Sequence, residues 1–126
     1  MEKIIIDCDP GIDDAMAILL AARSPALQII GLTSVFGNAA IETTTDNAVR
    51  LRDMFEIEAP VHVGARLPLS MTEDPLPTFV HGKDGLGDTR KLPSVGDPDG
   101  DSAANFIVET INANPHQVSI CLLYTS

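Results

Sequence analysis

Asp7, Asp9, Asp13 and Asp14 crowd into the eight residues DCDPGIDD, and no other stretch of the chain gathers side chains so suited to chemistry. The cluster follows the apolar run Ile4-Ile5-Ile6 and precedes the helical pattern AMAILLAA, which places it at a strand-to-helix turn. Two carboxylates about 4 Å apart repel by roughly 4 kcal/mol at an effective dielectric near 20. A cluster this dense therefore calls for a bound cation, trapped protons or wide solvent exposure, and a hard divalent metal answers it most directly. Calcium takes about six to eight oxygen ligands, so a few aspartates plus backbone carbonyls, water and substrate hydroxyls would satisfy it; magnesium is the second choice. Capping alone explains less. The macrodipole favours a carboxylate in a first helical turn by about 0.3–1 kcal/mol, which accounts for Asp13 or Asp14 but leaves Asp7 and Asp9 without a reason.

Two calcium-loop lookalikes fail on spacing. Counted from Asp7, Ile12 stands where an EF-hand needs glycine and Ile18 where it needs glutamate. In DPDGDS, Asp97, Asp99 and Asp101 are spaced like ligands, yet Ser102 holds the glycine position and Val108 the final one. The phosphate-cradling patterns GxGxxG and GxxxxGK[ST] are absent near Gly11. An acidic site without Arg or Lys disfavours a free phosphate and suits a neutral polyol, whose hydroxyls can ligate a metal and donate to carboxylates.

The elements that must hold this cluster can be read from periodicity. Lys3 to Asp7 is expected as a buried strand and Asp13 to Ala22 as a helix ended by Ser24-Pro25; Leu27 to Val35 is a second strand. After the turn Phe36-Gly37-Asn38, Ile41 to Phe55 is a helix with Ala48, Leu51, Met54 and Phe55 at helical spacing, and Pro60 to Gly64 a third strand. Such alternation builds an α/β fold with an open, mostly parallel, Rossmann-like sheet flanked by helices, and its ligands bind beyond the carboxyl ends of the strands. Residues 65–100, rich in Pro, Gly and Asp, are too long for a plain connection and are expected to form a lid over the site. Ser102 to Asn112 returns to helix, with Asp101 or Ser102 as N-cap and Ala104, Ile107, Val108 and Ile111 on one face. Val118 to Leu123 makes a fourth strand.

At 126 residues one domain is expected. A net charge of −10 with only eight Lys and Arg excludes a nucleic-acid surface. No basic and apolar leader opens the chain and no stretch is long enough to span a bilayer, so no membrane partner and a cytosolic (cytoplasmic) location are the defaults. Cys8 and Cys121, far apart and without metal-type spacing, read as small buried hydrophobes.

DCDPGIDDAMAILLA, followed by QIIGLTSVFGNA and then by HGKDGLG, strongly resembles the inosine-uridine preferring nucleoside hydrolases over nearly the whole chain up to Val118. The resemblance implies a hydrolase of nucleoside salvage that cleaves the N-glycosidic bond of ribonucleosides to ribose and free base. It implies that Asp9 and Asp14 bind a catalytic calcium ion, Asp9 also serving as general base toward the attacking water. It further implies that Asp13 receives the ribose 2′-hydroxyl, that Asn38 lies near the ribose hydroxyls and His81 near the nucleobase, and that Asp7 orients its neighbours without ligating the metal. His62 and His116 are assigned no role. The full-length form is expected to be a homo-oligomer.

Residues 1–126 correspond to the N-terminal part of one such domain, since family members run to more than twice this length and their later residues supply a further metal-binding aspartate and more ribose contacts. Residues 121–126, in CLLYTS, depart from the Gly-Pro-Leu-Thr-Asn-like loop the family has there. We therefore expect a sheet truncated after about four strands, an incomplete metal site, weak or no activity, and self-association through exposed apolar edges. Two alternatives remain at this point. One is a haloacid-dehalogenase-like magnesium phosphatase, with an Asp-x-Asp after its first strand; the other is a non-catalytic fragment.

Overall fold

The computed structural model describes residues 1–37, 39–67, 69 and 96–123. Asn38, His81 and the greater part of the expected lid lie outside the described residues. The elements follow in the order β1 (Glu2–Cys8), α1 (Ile12–Arg23), β2 (Leu27–Ser34), α2 (Ile41–Met54), β3 (Val61–Val63), α3 (Ala103–Ala113) and β4 (Val118–Leu122). All ladders are parallel and the sheet order is β3-β2-β1-β4. The α/β parallel sheet expected from the sequence is thus present, and each element lies within two residues of its expected ends.

A central parallel strand is buried on both faces and so reads as an unbroken apolar run. Ile4, Ile5 and Ile6 of β1 are that run, at 7%, 0% and 2% exposure. Alternation sends Ile4, Ile6 and Cys8 to one face, where they pack with Ile18 of α1, Ala48, Val49 and Leu51 of α2, and Leu32 and Val61 of the sheet. Ile5 pairs with Gly31 and Asp7 with Thr33 on the other face, over which α3 runs. Here a missing side chain makes the contact. A Cβ on Gly31 would fall on the Phe106 ring, and that ring stacks on His62 at 4.1 Å between centroids and 15° between planes.

This contact also rotates α3 away from the expected face. Phe106 and Ile107 turn toward the sheet beside the buried Ala103, whereas Ala104 is exposed, Val108 is 57% exposed and Ile111 36%. The aromatic ring decides the orientation, since it carries the largest apolar area on the helix and has a slot over Gly31 to fill. Met54 of α2 is likewise exposed, and Cys121, expected to be buried, lies exposed on the outermost strand. Of the two N-cap candidates for α3, Ser102 is the cap, its Oγ accepting from Asn105 N at 3.3 Å.

The two sheet edges differ. Along β3, Asp99 N donates to Val61 O at 2.8 Å and Val63 N to Gly100 O at 2.9 Å. The Asp99 carboxylate accepts from Val61 N at 2.8 Å and from Arg52 Nη1 at 2.6 Å. The DPDGDS aspartates therefore include one that seals an edge. At the other edge β4 pairs only with β1, and Ile120 and Leu122 are 40% and 47% exposed.

If Gly31 makes room for Phe106, Gly31→Ala should destabilise the chain by about 1–3 kcal/mol through overpacking. In a Phe106→Leu background the same change should become appreciably milder. Urea midpoints for the four proteins of this cycle check it, and equal effects in both backgrounds would rule the contact out as the cause.

Candidate functional site

The site grows from the end of β1. After Cys8 the strand stops because Pro10 cannot donate to a ladder, and the chain turns through Gly11 into α1. Gly11 is the N-cap residue and offers no side chain to the first turn, which carries Asp13 and Asp14. Three neighbouring segments hold the turn. Val35 N donates to Cys8 O at 3.0 Å, and Asn47 of α2 donates from Nδ2 to Pro10 O at 3.3 Å. Gly37 passes directly against Asp9, where a Cβ would fall on the carboxylate.

This packing sorts the four aspartates. Asp9 and Asp14 are buried, at 6% and 3% exposure. Asp13, next along the helix, is exposed. Asp7 sits half-buried on the α3 face of the sheet, its Oδ1 accepting from Thr33 Oγ1. The aspartate cluster is thus a buried Asp9–Asp14 pair with Asp13 at its rim and Asp7 engaged on the other side. Among the described residues no three His, Cys, Asp or Glu side chains converge to hold a metal.

The electrostatics of the pair follow from its burial. Desolvation first, then the charges of Asp9 and Asp13, push the Asp14 carboxyl from its ordinary 3.8 up to about 8. A side-chain hydrogen bond with Asp9 adds to the rise, and a backbone hydrogen bond with Asp9 opposes it. Asp14 Oδ2 is buried and has no hydrogen-bond partner among the described residues. A buried carboxylate oxygen left over beside a second carboxylate is offset by a proton shared within the pair. Burial, with the nearby Asp14, Asp7 and Asp9 charges, holds the Cys8 thiol well above its usual range, which removes it as a nucleophile.

A cavity of about 420 Å³ opens beyond the carboxyl ends of β1 to β3, bordered by Asp7, Ser34, Gly64, Asp101 and Ser102. That is the end where parallel sheets bind ligands. A second, of about 220 Å³, lies at the opposite end against Leu27, Phe55 and Ile57. Asp9 and Asp14 line neither. Periodicity did not single out Asn47, Ser34, Thr45 or Gly37. The signal available in α2 was a run of uncharged polar residues, of which Thr44, Thr45 and Asn47 are buried.

Comparison with known proteins gives the chain its family. The family profile described as inosine-uridine preferring nucleoside hydrolase matches residues 4–124. Uridine nucleosidase 1 of Arabidopsis thaliana is 44% identical over 123 residues, 97% of this chain and 37% of that protein. The pyrimidine-specific ribonucleoside hydrolase RihB of Escherichia coli K12 is 34% identical over 118 residues, 94% of this chain and 37% of its own length. Among solved structures, the plant nucleoside hydrolase PpNRh1 superposes with a TM-score of 0.91 at 40% identity, covering 97% of this chain and 39% of that one. A purine-preferring ribonucleoside hydrolase from Gardnerella vaginalis gives 0.89 at 28% identity, covering 96% and 40%. The chain spans well under half the length of each.

The raised Asp14 value has a sign that can be tested. Its stabilising contribution is complete below the unfolded value near 3.8, falls as pH rises, and is gone above about 8. In metal-free buffer Asp14→Asn should therefore gain on the parent as pH rises from about 5 to about 8, by roughly 1–3 kcal/mol at the upper end. Urea midpoints at several pH values in chelator check this; parallel curves would mean that Asp14 is not held protonated by its surroundings.

Proposed function

Because the chain belongs to the inosine-uridine preferring nucleoside hydrolase family, we propose that it carries the aspartate half of a site that hydrolyses the N-glycosidic bond of ribonucleosides to ribose and free base. The observation that carries this reading is the buried Asp9–Asp14 pair with its orphaned Asp14 oxygen at the carboxyl end of β1.

The donor set fits a hard divalent ion, and calcium is preferred over magnesium because two carboxylates leave a large and irregular shell to be filled by carbonyls, water and substrate hydroxyls. Asp9 and Asp14 are the residues that would hold it. When bound, the ion supplies charge that orients and acidifies a water. The remaining chemistry belongs to side chains of this chain. In this reading Asp9 takes the proton from the attacking water, a role that contributes typically about a hundredfold to ten-thousandfold in rate. Asp13, exposed at the rim, is free to accept a hydrogen bond from the ribose 2′-hydroxyl. Carboxylates around the sugar also stabilise the positive charge that develops on it as the base departs. Asn38 and His81 keep their expected roles toward ribose and base within this reading, as do a homo-oligomeric full-length form and a role in cytosolic nucleoside salvage. No helix among the described residues is long and apolar enough to cross a membrane.

The magnesium phosphatase alternative is set aside by the family match. Its nucleophile would be Asp7, and that carboxylate is engaged by Thr33. The named activities of the relatives include uridine, pyrimidine-specific and purine-preferring hydrolysis, so a substrate panel should lead with uridine and include inosine.

Calorimetric titration with calcium should show binding to the chain and its loss in the double variant Asp9→Asn, Asp14→Asn. Binding that survives both changes would sink the assignment. With little of the substrate-binding surface of its relatives, the chain alone should cleave uridine weakly or not at all, read as release of ribose over time. Robust turnover by the isolated chain would show that the site is more complete than proposed.

A further inference from the structure

We propose that Asn47 is a positioning residue of the aspartate turn, clamping the Pro10 carbonyl from α2 so that Asp9 and Asp14 meet in one place. This rests on the assignment of Asp9 and Asp14 as the metal-binding pair.

The turn is bonded locally, by the Asp9–Asp14 hydrogen bonds and by Ala15 N to Gly11 O at 3.0 Å, and the Pro10 ring fixes its own φ. Gly11 has no side chain and α1 begins without a side-chain cap, and a glycine at that point leaves a rotation that would swing Asp14 relative to Asp9. A further restraint on the backbone between them comes from a residue distant in sequence. Asn47 is fully buried and its Nδ2 donates to Pro10 O at 3.3 Å across 37 positions of chain. A carbonyl only accepts, so this contact fixes which end of the amide faces the turn.

Asn47 is itself held rigidly. It sits on the buried side of α2 beside Ala48 and Leu51, and two residues earlier Thr45 Oγ1 and Ser34 Oγ hydrogen-bond at 2.7 Å, tying the same helix to the end of β2. Ser34 leads into Val35, whose N–H bonds Cys8 O at the start of the turn. One polar contact from α2 thus fixes the scaffold and the other fixes the turn upon it. A buried asparagine in a helix interior is unfavourable unless its amide is used, and here it is used on the backbone between the two carboxylates. Supporting residues of this kind behind a metal ligand typically change metal affinity by about 10–100-fold.

The test compares Asn47→Leu, which keeps the volume and removes the donor, with Thr45→Val, which removes a buried hydrogen bond from the same helix but leaves Pro10 alone. Asn47→Ser is carried beside them as a smaller change if the leucine variant folds poorly. Hydrogen exchange of the metal-free chains is followed at the amides of residues 11–15, and calcium affinity is measured by calorimetry. For Asn47→Leu or Asn47→Ser, exchange in that segment should rise about tenfold or more while the β1–β2 ladder stays as protected as in Thr45→Val, and calcium binding should weaken about 10–100-fold. Matching exchange in the Asn47 and Thr45 variants would overturn the proposal, because it would reduce Asn47 to one buried hydrogen bond among others. Should the parent chain bind no calcium, the metal assignment itself fails, and the exchange comparison decides the positioning role on its own.

Discussion

Two carboxyl groups forced out of water against each other are the constraint from which the rest of this structure follows. Asp9 and Asp14 lie five residues apart, on a strand end and a helix start, and only a turn as short as Pro10-Gly11 with a helix leaving at once brings them together. Burying the pair requires neighbours that approach closely. Gly37 supplies one side by its lack of a Cβ, and α2 supplies another with neutral polar groups. Charge neutrality then has to come from a proton or a cation, which is why Asp14 is held protonated so far above its ordinary range.

The fold around the pair separates strength from function in an orderly way. Strong packing lies in the central strands and on the α1 and α2 face, where Ile4, Ile6, Ile18, Leu32 and Val49 exclude water. The opposite face is thinner and depends on one aromatic ring, Phe106, set over a glycine and stacked on His62. Polar groups that would weaken a core are spent at the carboxyl end of the sheet, where Ser34, Thr45, Asn47 and Thr33 each engage a partner. Rigid strands carrying a polar rim at one end are what a site needs if its carboxylates are to be held before a ligand arrives.

Among the described residues the sheet is finished at one edge and open at the other. Asp99 and Gly100 extend the β3 edge with backbone and side-chain bonds, whereas β4 keeps apolar residues half in water. The open edge belongs to the strand beside β1, and β1 leads into the aspartates. The chain spans 37% of the length of one relative and 39% of another.

Much of this was legible in the residues taken alone. Apolar runs and Gly or Pro punctuation determined the order and type of the elements, because strand and helix periodicities are local properties of the chain. The density of aspartates at the first strand end marked where to look for chemistry, because repulsion among carboxylates this close has to be offset by a proton, a cation or solvent. Local pattern could not decide which of the four aspartates share a pocket, since that depends on the angle at which α1 leaves the sheet and on how closely Gly37 passes. Nor could it find Asn47, whose partner is 37 positions away, or turn α3 so that Phe106 and not Val108 faces the sheet. Those outcomes were decided by tertiary packing, because a side chain's environment is set by neighbours that the sequence places far away and only the folded sheet brings near.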